Sequence, residues 1–569
     1  MSRTQRITDI SVSLLFFAIA AVFFSVWYGF HTINQEQLQL FEGTWAYFAG
    51  TAAVPGGFSD YLSRFLTQFF YFPWAGALIL AALLIAIRFL LLSLCRRKDV
   101  LTRTLTFAPS ILLMMVLCYR FPTVNLLVAF ALTLAAARGL ACITETRIRR
   151  ILAWVLIPVL YVLLGSFALL FAAVVAVRER NLPYGILTVL IAFLCPVVAC
   201  MILPYPFGRL LYGLSYYKVH VDMPVWPWIA VLAAVGVVAF ADDRRPARES
   251  RFWPAFYAAV PVVAVAAILL CSNFSDEQSL KYNILTGKRA WNRIVTEATR
   301  KAPRTYSETA CLNLALCKTG HLGGHMFDYL QDGPETLLPN ENTPHHDGLS
   351  TAEIFYQLGM VNNARRNCFE ALNVIPDFQK SAPVFKLLAE TSIVNQRYAV
   401  ARKYLTALSH TLFYKKWADE RLAYFKDGQD PALMDEYAQK RLERYKGDDY
   451  IFDFNKADLS LMQLMEEYPG NLTALNYLLA WDLLNKNLGG FVAHCPFEAF
   501  TSAVPKAWQE GFLLDWEMTG LPMEELPDFI DRNLADRKAA FTRDFNANVP
   551  MATLQRQYGD TYWFYYFFK

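Results

Sequence analysis

Residues 150–177 read RILAWVLIPVLYVLLGSFALLFAAVVAV, and the number of helices in that run decides how the whole chain is threaded. One continuous helix of this length would reach about 42 Å, well past the roughly 30 Å apolar core of a bilayer. Gly165-Ser166 offers a hinge, and a run divided there becomes two short helices.

Outward from this stretch lie seven further apolar runs, at 8–31, 74–95, 104–118, 121–137, 184–204, 225–241 and 254–271. A spanning helix needs roughly 20 apolar residues, so the eight runs predict a polytopic membrane domain over 1–272. The first run ends in Trp27, Tyr28, Phe30 and His31 with no small-residue cleavage site, and reads as a retained signal anchor. Residues 273–569 contain nothing comparable. They read as a helical stalk over 273–300 and a soluble helical domain over 301–569. The chain of 569 residues is 55% hydrophobic, too apolar for an ordinary soluble protein of its size.

Charge divides along the same line. Residues 1–272 carry 21 Lys and Arg against 11 Asp and Glu, a net of +10, and the remainder nets −6. A basic membrane half fits anchoring by cytoplasmic cations, whereas nucleic-acid binding would need them clustered on a soluble face; no nucleic-acid partner is expected. Eight plain crossings leave 12 loop cations inside and 8 outside. Splitting 150–177 into two crossings raises the tally to 16 inside, leaving only Arg64, Arg120, Arg209 and Lys218 outside. Since cytoplasmic loops collect Arg and Lys, the second count is preferred. It predicts about nine crossings, a cytoplasmic N-terminus and a periplasmic C-terminal domain.

The longest loop between runs, 32–73, is exoplasmic under either count and holds Asn34, Glu36, Glu42, Val54-Pro55-Gly56-Gly57-Phe58, Asp60 and Arg64. From Ser59, expected as a helix cap, Tyr61, Leu62, Phe65, Leu66 and Phe69 fall on one side and Asp60, Ser63, Arg64 and Thr67 on the other. This predicts an amphipathic helix along the membrane surface. In the preferred threading 205–223 faces the same compartment, with Arg209, Lys218, His220 and Asp222 among Tyr205, Phe207, Tyr212, Tyr216 and Tyr217. Arg88, inside the second run, is expected to snorkel toward the cytoplasmic Arg96.

In the soluble half helix follows helix with short turns, which makes the chain all-α. Ala352, Gly359, Ala364, Ala371, Leu372 and Pro376 fall where a tetratricopeptide repeat places small residues and a terminating proline, with echoes at Ala389, Tyr398 and Ala401. The expectation is a degenerate tetratricopeptide-like superhelix that either packs for the membrane half or docks a protein or peptide in its groove. Seven aromatic residues from Tyr562 to Phe568 are expected to pack as a terminal cap. Cys311, Cys317, Cys368 and Cys495 match no metal spacing and read as buried packing residues, and Gly323-Gly324 spoils His321 and His325 as paired ligands.

This layout, an exoplasmic first loop with acids and membrane-surface helices, a many-helix bundle and a large C-terminal domain, resembles the C-type membrane glycosyltransferases. Some of those enzymes end in tetratricopeptide repeats. The resemblance implies a sugar donor on a polyprenyl phosphate lipid, a loop carboxylate as base and room for a divalent metal. Glu36, Glu42 or Asp60 would be the carboxylate, and Arg64, Arg209, Lys218 and His220 would bind substrate. The superfamily's paired acidic signature is absent, since Glu36 and Glu42 are six apart and Asp60 stands alone. More closely, the chain resembles an uncharacterised family of bacterial polytopic inner-membrane proteins with the same Pro-Gly-Gly loop and aromatic tail. Two expectations follow: a glycosyltransferase-like enzyme in the inner membrane, or a non-catalytic membrane-anchored scaffold that binds envelope proteins through its repeats.

Overall fold

The long apolar run breaks at Gly165. A computed structural model describes residues 3–119, 124–212, 225–242, 252–340, 347–375, 380–446, 453–500, 503–522 and 525–569, all helices and connections with no strand among them. These residues divide into two units, one of Met1–Glu277, Ile375–Ala382 and Ala407–Lys416, the other of Gln278–Val374, Pro383–Thr406 and Trp417–Lys569. Two short pieces from the second half of the chain therefore belong to the first unit.

In the first unit, α1 (Arg3–Val22) passes through a π-helical turn at Phe23–Trp27 into α2 (Gly29–Gln37), α3 (Trp45–Ala52) and α4 (Gly57–Thr67). Pro73 opens α5 (Pro73–Leu94), where its missing N–H costs nothing. Asp99 caps α6 (Val100–Leu105), accepting from the Thr102 N–H at 2.8 Å, and α7 (Phe107–Val116) continues it after a bend at Thr106. The expected run at 104–118 is carried by α7, with the last two residues of α6 before it. There follow α8 (Val124–Ala141), α9 (Thr146–Leu164), α10 (Phe167–Glu179), α11 (Leu182–Ile202), α12 (Phe207–Tyr212), α13 (Trp226–Phe240) and α14 (Trp253–Cys271). Five segments are long and apolar enough to cross a membrane: Arg6–Trp27, Pro73–Leu94, Val124–Ala141, Leu182–Ile202 and Pro254–Cys271.

Gly165 takes φ +65° and ψ −144°, a backbone state open essentially to glycine alone, and it ends α9. Arg149 and Arg150 at the start of α9 both donate to Glu179 at the end of α10, at 2.5 and 2.8 Å. The two helices therefore fold back on each other as a hairpin. The same end of the unit gathers Arg96, 3.0 Å from Asp242, and the Arg97 N–H, which donates to Ala241 O at 2.9 Å. At the opposite end the Tyr28 hydroxyl donates to Cys118 O at 3.0 Å and accepts from Asn273 N at 3.1 Å, while Glu277 accepts from the Phe30 and His31 N–H groups.

Two expectations are corrected here. Arg88 does not snorkel: it is fully buried, ion-paired with Asp9 of α1, donates to the Tyr257 hydroxyl at 3.3 Å and lies over the Phe89 and Phe107 rings. A carboxylate at its own depth removes the need to reach water. In α4 the polar side is the buried one, with Ser59, Asp60, Ser63 and Thr67 packed inward and Phe65 exposed. The Ser59, Ser63 and Thr67 hydroxyls donate back to the carbonyls of Gly56, Asp60 and Ser63, so this small face needs no outside partner and packs closely. Ser59 accordingly caps nothing; Gly56, at φ +81°, precedes the helix.

The second unit is built of short capped helices. Asn471, Asn487, Asp531 and Thr561 each accept from an N–H in the first turn of the helix they precede. Gly359, at φ +100°, ends Gly348–Leu358 and turns the chain into Val361–Val374, which packs back on it. Of the segment 273–300, expected as a stalk, residues to Glu277 belong to the first unit and 278–300 to this one, where Gln278 donates to Ala302 O at 3.0 Å and Lys281 pairs with Glu297 at 2.8 Å. The partly exposed Arg289 bridges the buried Glu353 and Glu390, each at 2.6 Å, and the buried Lys440 donates to Gln357 O at 2.9 Å and Glu443 at 2.6 Å. The aromatic tail forms the helix Tyr562–Phe568 with Tyr562 to Tyr565 buried against Phe327 and Phe541. Burial pushes the Cys311, Cys317 and Cys495 thiols up to about 12, which suits packing residues.

Candidate functional site

The three loop carboxylates sit in the first unit, each engaged by another side chain. Glu36, near the end of α2, is buried and accepts from the Tyr414 hydroxyl at 3.4 Å. Tyr414 belongs to the short segment 407–416, which is held by ring contacts: Phe413 stacks on Tyr71 with centroids 4.9 Å apart. Burial first, then the neighbouring Glu36 charge, pushes the Tyr414 phenol well above its ordinary range, so it remains a neutral donor. Beside Glu36 lies a space of about 10 Å³ lined by Gln39, Phe41, Gln68 and residues 411–414. That is room for a single water.

Glu42 pairs with Lys380 at 2.8 Å, and the next residue, Gly43, donates its N–H to His410 O at 2.9 Å. Asp60 receives Arg64 in a fork, Nε at 2.7 Å and Nη2 at 2.6 Å, while Arg64 Nη1 reaches the Tyr47 hydroxyl at 3.3 Å. Burial raises the Tyr47 phenol, with Arg64 opposing. Asp60 and Arg64, expected as a catalytic carboxylate and a substrate-binding residue, thus satisfy each other through one helical turn. The Gln39 amide donates to Arg64 O at 2.9 Å and ties the loop to α4.

Arg209 is exposed on α12, whose Leu210 carbonyl accepts from Ser166 Oγ at 2.6 Å beside the Gly165 break. Lys218 and His220 lie outside the described residues. Among the described residues no group of three His, Cys, Asp or Glu is placed to hold a metal ion. His325 pairs with Asp328 on the surface.

Sequence reasoning missed the partners that engage Glu42 and Glu36, Lys380 and Tyr414, which come from more than three hundred residues away. It also missed Asp9 as the partner of Arg88. One signal was present: the first two apolar runs each contain a single interior charge, of opposite sign.

The chain belongs to a family of unknown function (DUF6057), which it matches over residues 4–569. No curated protein and no solved structure matches it.

Proposed function

We propose that the protein is a membrane-embedded, non-catalytic scaffold whose helical second unit docks a protein of the cell envelope. The observation that carries this reading is the state of the loop acids: Glu36, Glu42 and Asp60 each have a partner of their own, and the space beside Glu36 admits no sugar. A general base needs reach to its substrate's proton, and a lipid-linked donor needs a cleft.

The threading we infer has nine crossings, formed by α1, α5, α6 with α7, α8, α9, α10, α11, α13 and α14. In its support, the ion pairs from Arg149 and Arg150 to Glu179 bring the two ends of the hairpin together. At 13 residues α10 is too short to span alone, but its Phe167, Ala168, Leu170, Phe171 and Ala172 are buried among neighbouring helices. The Arg-rich end would be cytoplasmic, and Asn273, next to Tyr28, would leave on the periplasmic side of the inner membrane. The second unit reads as a tetratricopeptide-like array; Ala352, Ala364, Ala389 and Ala401 are all fully buried, as small contact residues of such repeats would be.

The test is complementation of a deletion strain with Glu36→Gln, Glu42→Gln and Asp60→Asn, alongside Phe369→Glu on the exposed side of Val361–Val374. The scaffold predicts rescue by the three amide variants and loss with Phe369→Glu at normal abundance. Loss of rescue in an amide variant that accumulates normally would instead favour the alternative, a glycosyltransferase-like enzyme using a polyprenyl-phosphate sugar.

A further inference from the structure

At the basic end of the first unit, four arginines share two carboxylates and a fifth, Arg178, lies beside them. Arg149 and Arg150 converge on Glu179, and Arg96 and Arg180 on Asp242. Among the described residues Arg178 pairs with no carboxylate: its guanidinium donates to Leu94 O, while its own carbonyl accepts from Arg96 Nη2 at 2.8 Å. Three of these side chains, Arg96, Arg149 and Arg178, line a cavity of about 70 Å³ together with Glu179, Ala137 and Leu140. The cavity is predominantly polar and lies among the ends of α5, α8, α9 and α10. On the other side of the last turn of α10 runs an apolar groove of about 590 Å³ along α11, lined by Val177, Leu182, Ile186 and Val189, with Arg180 at its end.

We propose that this end binds an anionic glycerophospholipid, its phosphate in the arginine-lined cavity. Like charges held close in a partly buried site repel, and an anion relieves that repulsion while accepting the fork-shaped donors that guanidinium groups offer. The cavity lies among the ends of apolar helices, where a phospholipid headgroup is the anion at hand. Basic pockets between membrane helices are suited to phospholipid headgroups for this reason. Binding here would staple the α9–α10 hairpin to α5 and α8, since Glu179 alone offsets two arginines and Arg178 has no ion-pair partner among the described residues. The site is distinct from the Glu36 region and does not depend on whether that region is catalytic.

The test uses the full-length protein reconstituted in phosphatidylcholine nanodiscs, with or without phosphatidylglycerol, and reads the melting temperature. Phosphatidylglycerol is expected to raise it by several degrees. Arg178→Gln is expected to lose at least half of that rise, and Glu179→Gln, which removes the competing carboxylate, to enlarge it. Inorganic phosphate added to phosphatidylcholine nanodiscs is expected to leave the melting temperature unchanged. The proposal is overturned if Arg178→Gln keeps the full rise, if Glu179→Gln diminishes it, or if inorganic phosphate reproduces it, which would mark a site for a soluble anion. Native mass spectrometry of the wild-type protein gives a reading that needs no variant. Preferential retention of phosphatidylglycerol over phosphatidylcholine supports the site, and equal retention sinks it.

Discussion

Gly56 lies directly against Gly165: a methyl group built on Gly56 would come within 3.4 Å of the Gly165 backbone, and the Gly56 N–H donates to Val162 O at 2.9 Å. The Pro-Gly-Gly turn of the first loop is thus seated on the break between α9 and α10. Both glycines have positive φ, a backbone state that favours glycine, and at Gly56 an added methyl group would sit in van der Waals contact with its neighbour. Gly56→Ala and Gly165→Ala should each destabilise the protein by about 1–3 kcal/mol. Gly139→Ala, in α8 with open space around it, should be neutral or slightly stabilising. Melting temperatures of the three variants in one lipid decide the matter, and equal behaviour would refute the packing argument.

The buried pair of Asp9 and Arg88 gives a second prediction. Asp9→Asn leaves a guanidinium uncompensated in the interior, at a cost of about 3–5 kcal/mol. Removing both charges with Asp9→Leu and Arg88→Met should cost less than the single change. A double-mutant cycle on thermal stability measures the coupling, and additive effects would mean that the two residues do not sense each other.

A pH dependence follows from Glu510, fully buried on Lys506–Met518, where it accepts from the Tyr562 N–H at 2.7 Å. Burial pushes its carboxyl up to about 8 from an ordinary 4.5. The folded state therefore holds this proton after the unfolded chain has released it. Its contribution to stability is fully present below about pH 4.5 and falls as pH rises toward 8, by at most about 5 kcal/mol. Glu510→Gln should remove that slope and raise stability at pH 8. Hydrogen exchange of the Tyr562–Phe568 helix at several pH values is the measurement. A variant as sensitive to pH as the parent would exclude Glu510 as the source.

Gly359 offers a check on the second unit. A methyl group there would lie 2.3 Å from Glu443 O, and the residue sits at φ +100°. Gly359→Ala should cost more than the 1 kcal/mol or so typical of a strained turn alone, because the 435–446 segment must also move. Faster exchange of amides in both 348–358 and 435–443 is the expected signature; a change confined to one of them would argue against the contact.

Much of this architecture is legible in the order of residues because transfer of apolar surface from water sums locally along the chain. The apolar runs anticipate α1, α5, α8, α11, α13 and α14, and Gly165-Ser166 marks the break that separates α9 from α10. The aromatic tail, too hydrophobic to be left exposed, is buried as a cap. Where the sequence misled, it was over faces and partners. The hydroxyls of α4 look like a wet face but bond to their own helix and pack inward, and Arg88 looks like a snorkelling cation but finds Asp9.

The helical class and the apolar partition between the two halves of the chain were determined by the sequence itself, because propensity, capping and hydropathy act over a few residues. The fate of the acids was decided only by tertiary structure. Lys380 lies 338 residues from Glu42, and Tyr414 lies 378 residues from Glu36. A carboxylate becomes a base, a ligand or a spent partner according to which group three ångströms away satisfies it, and at such separations along the chain that choice belongs to the fold.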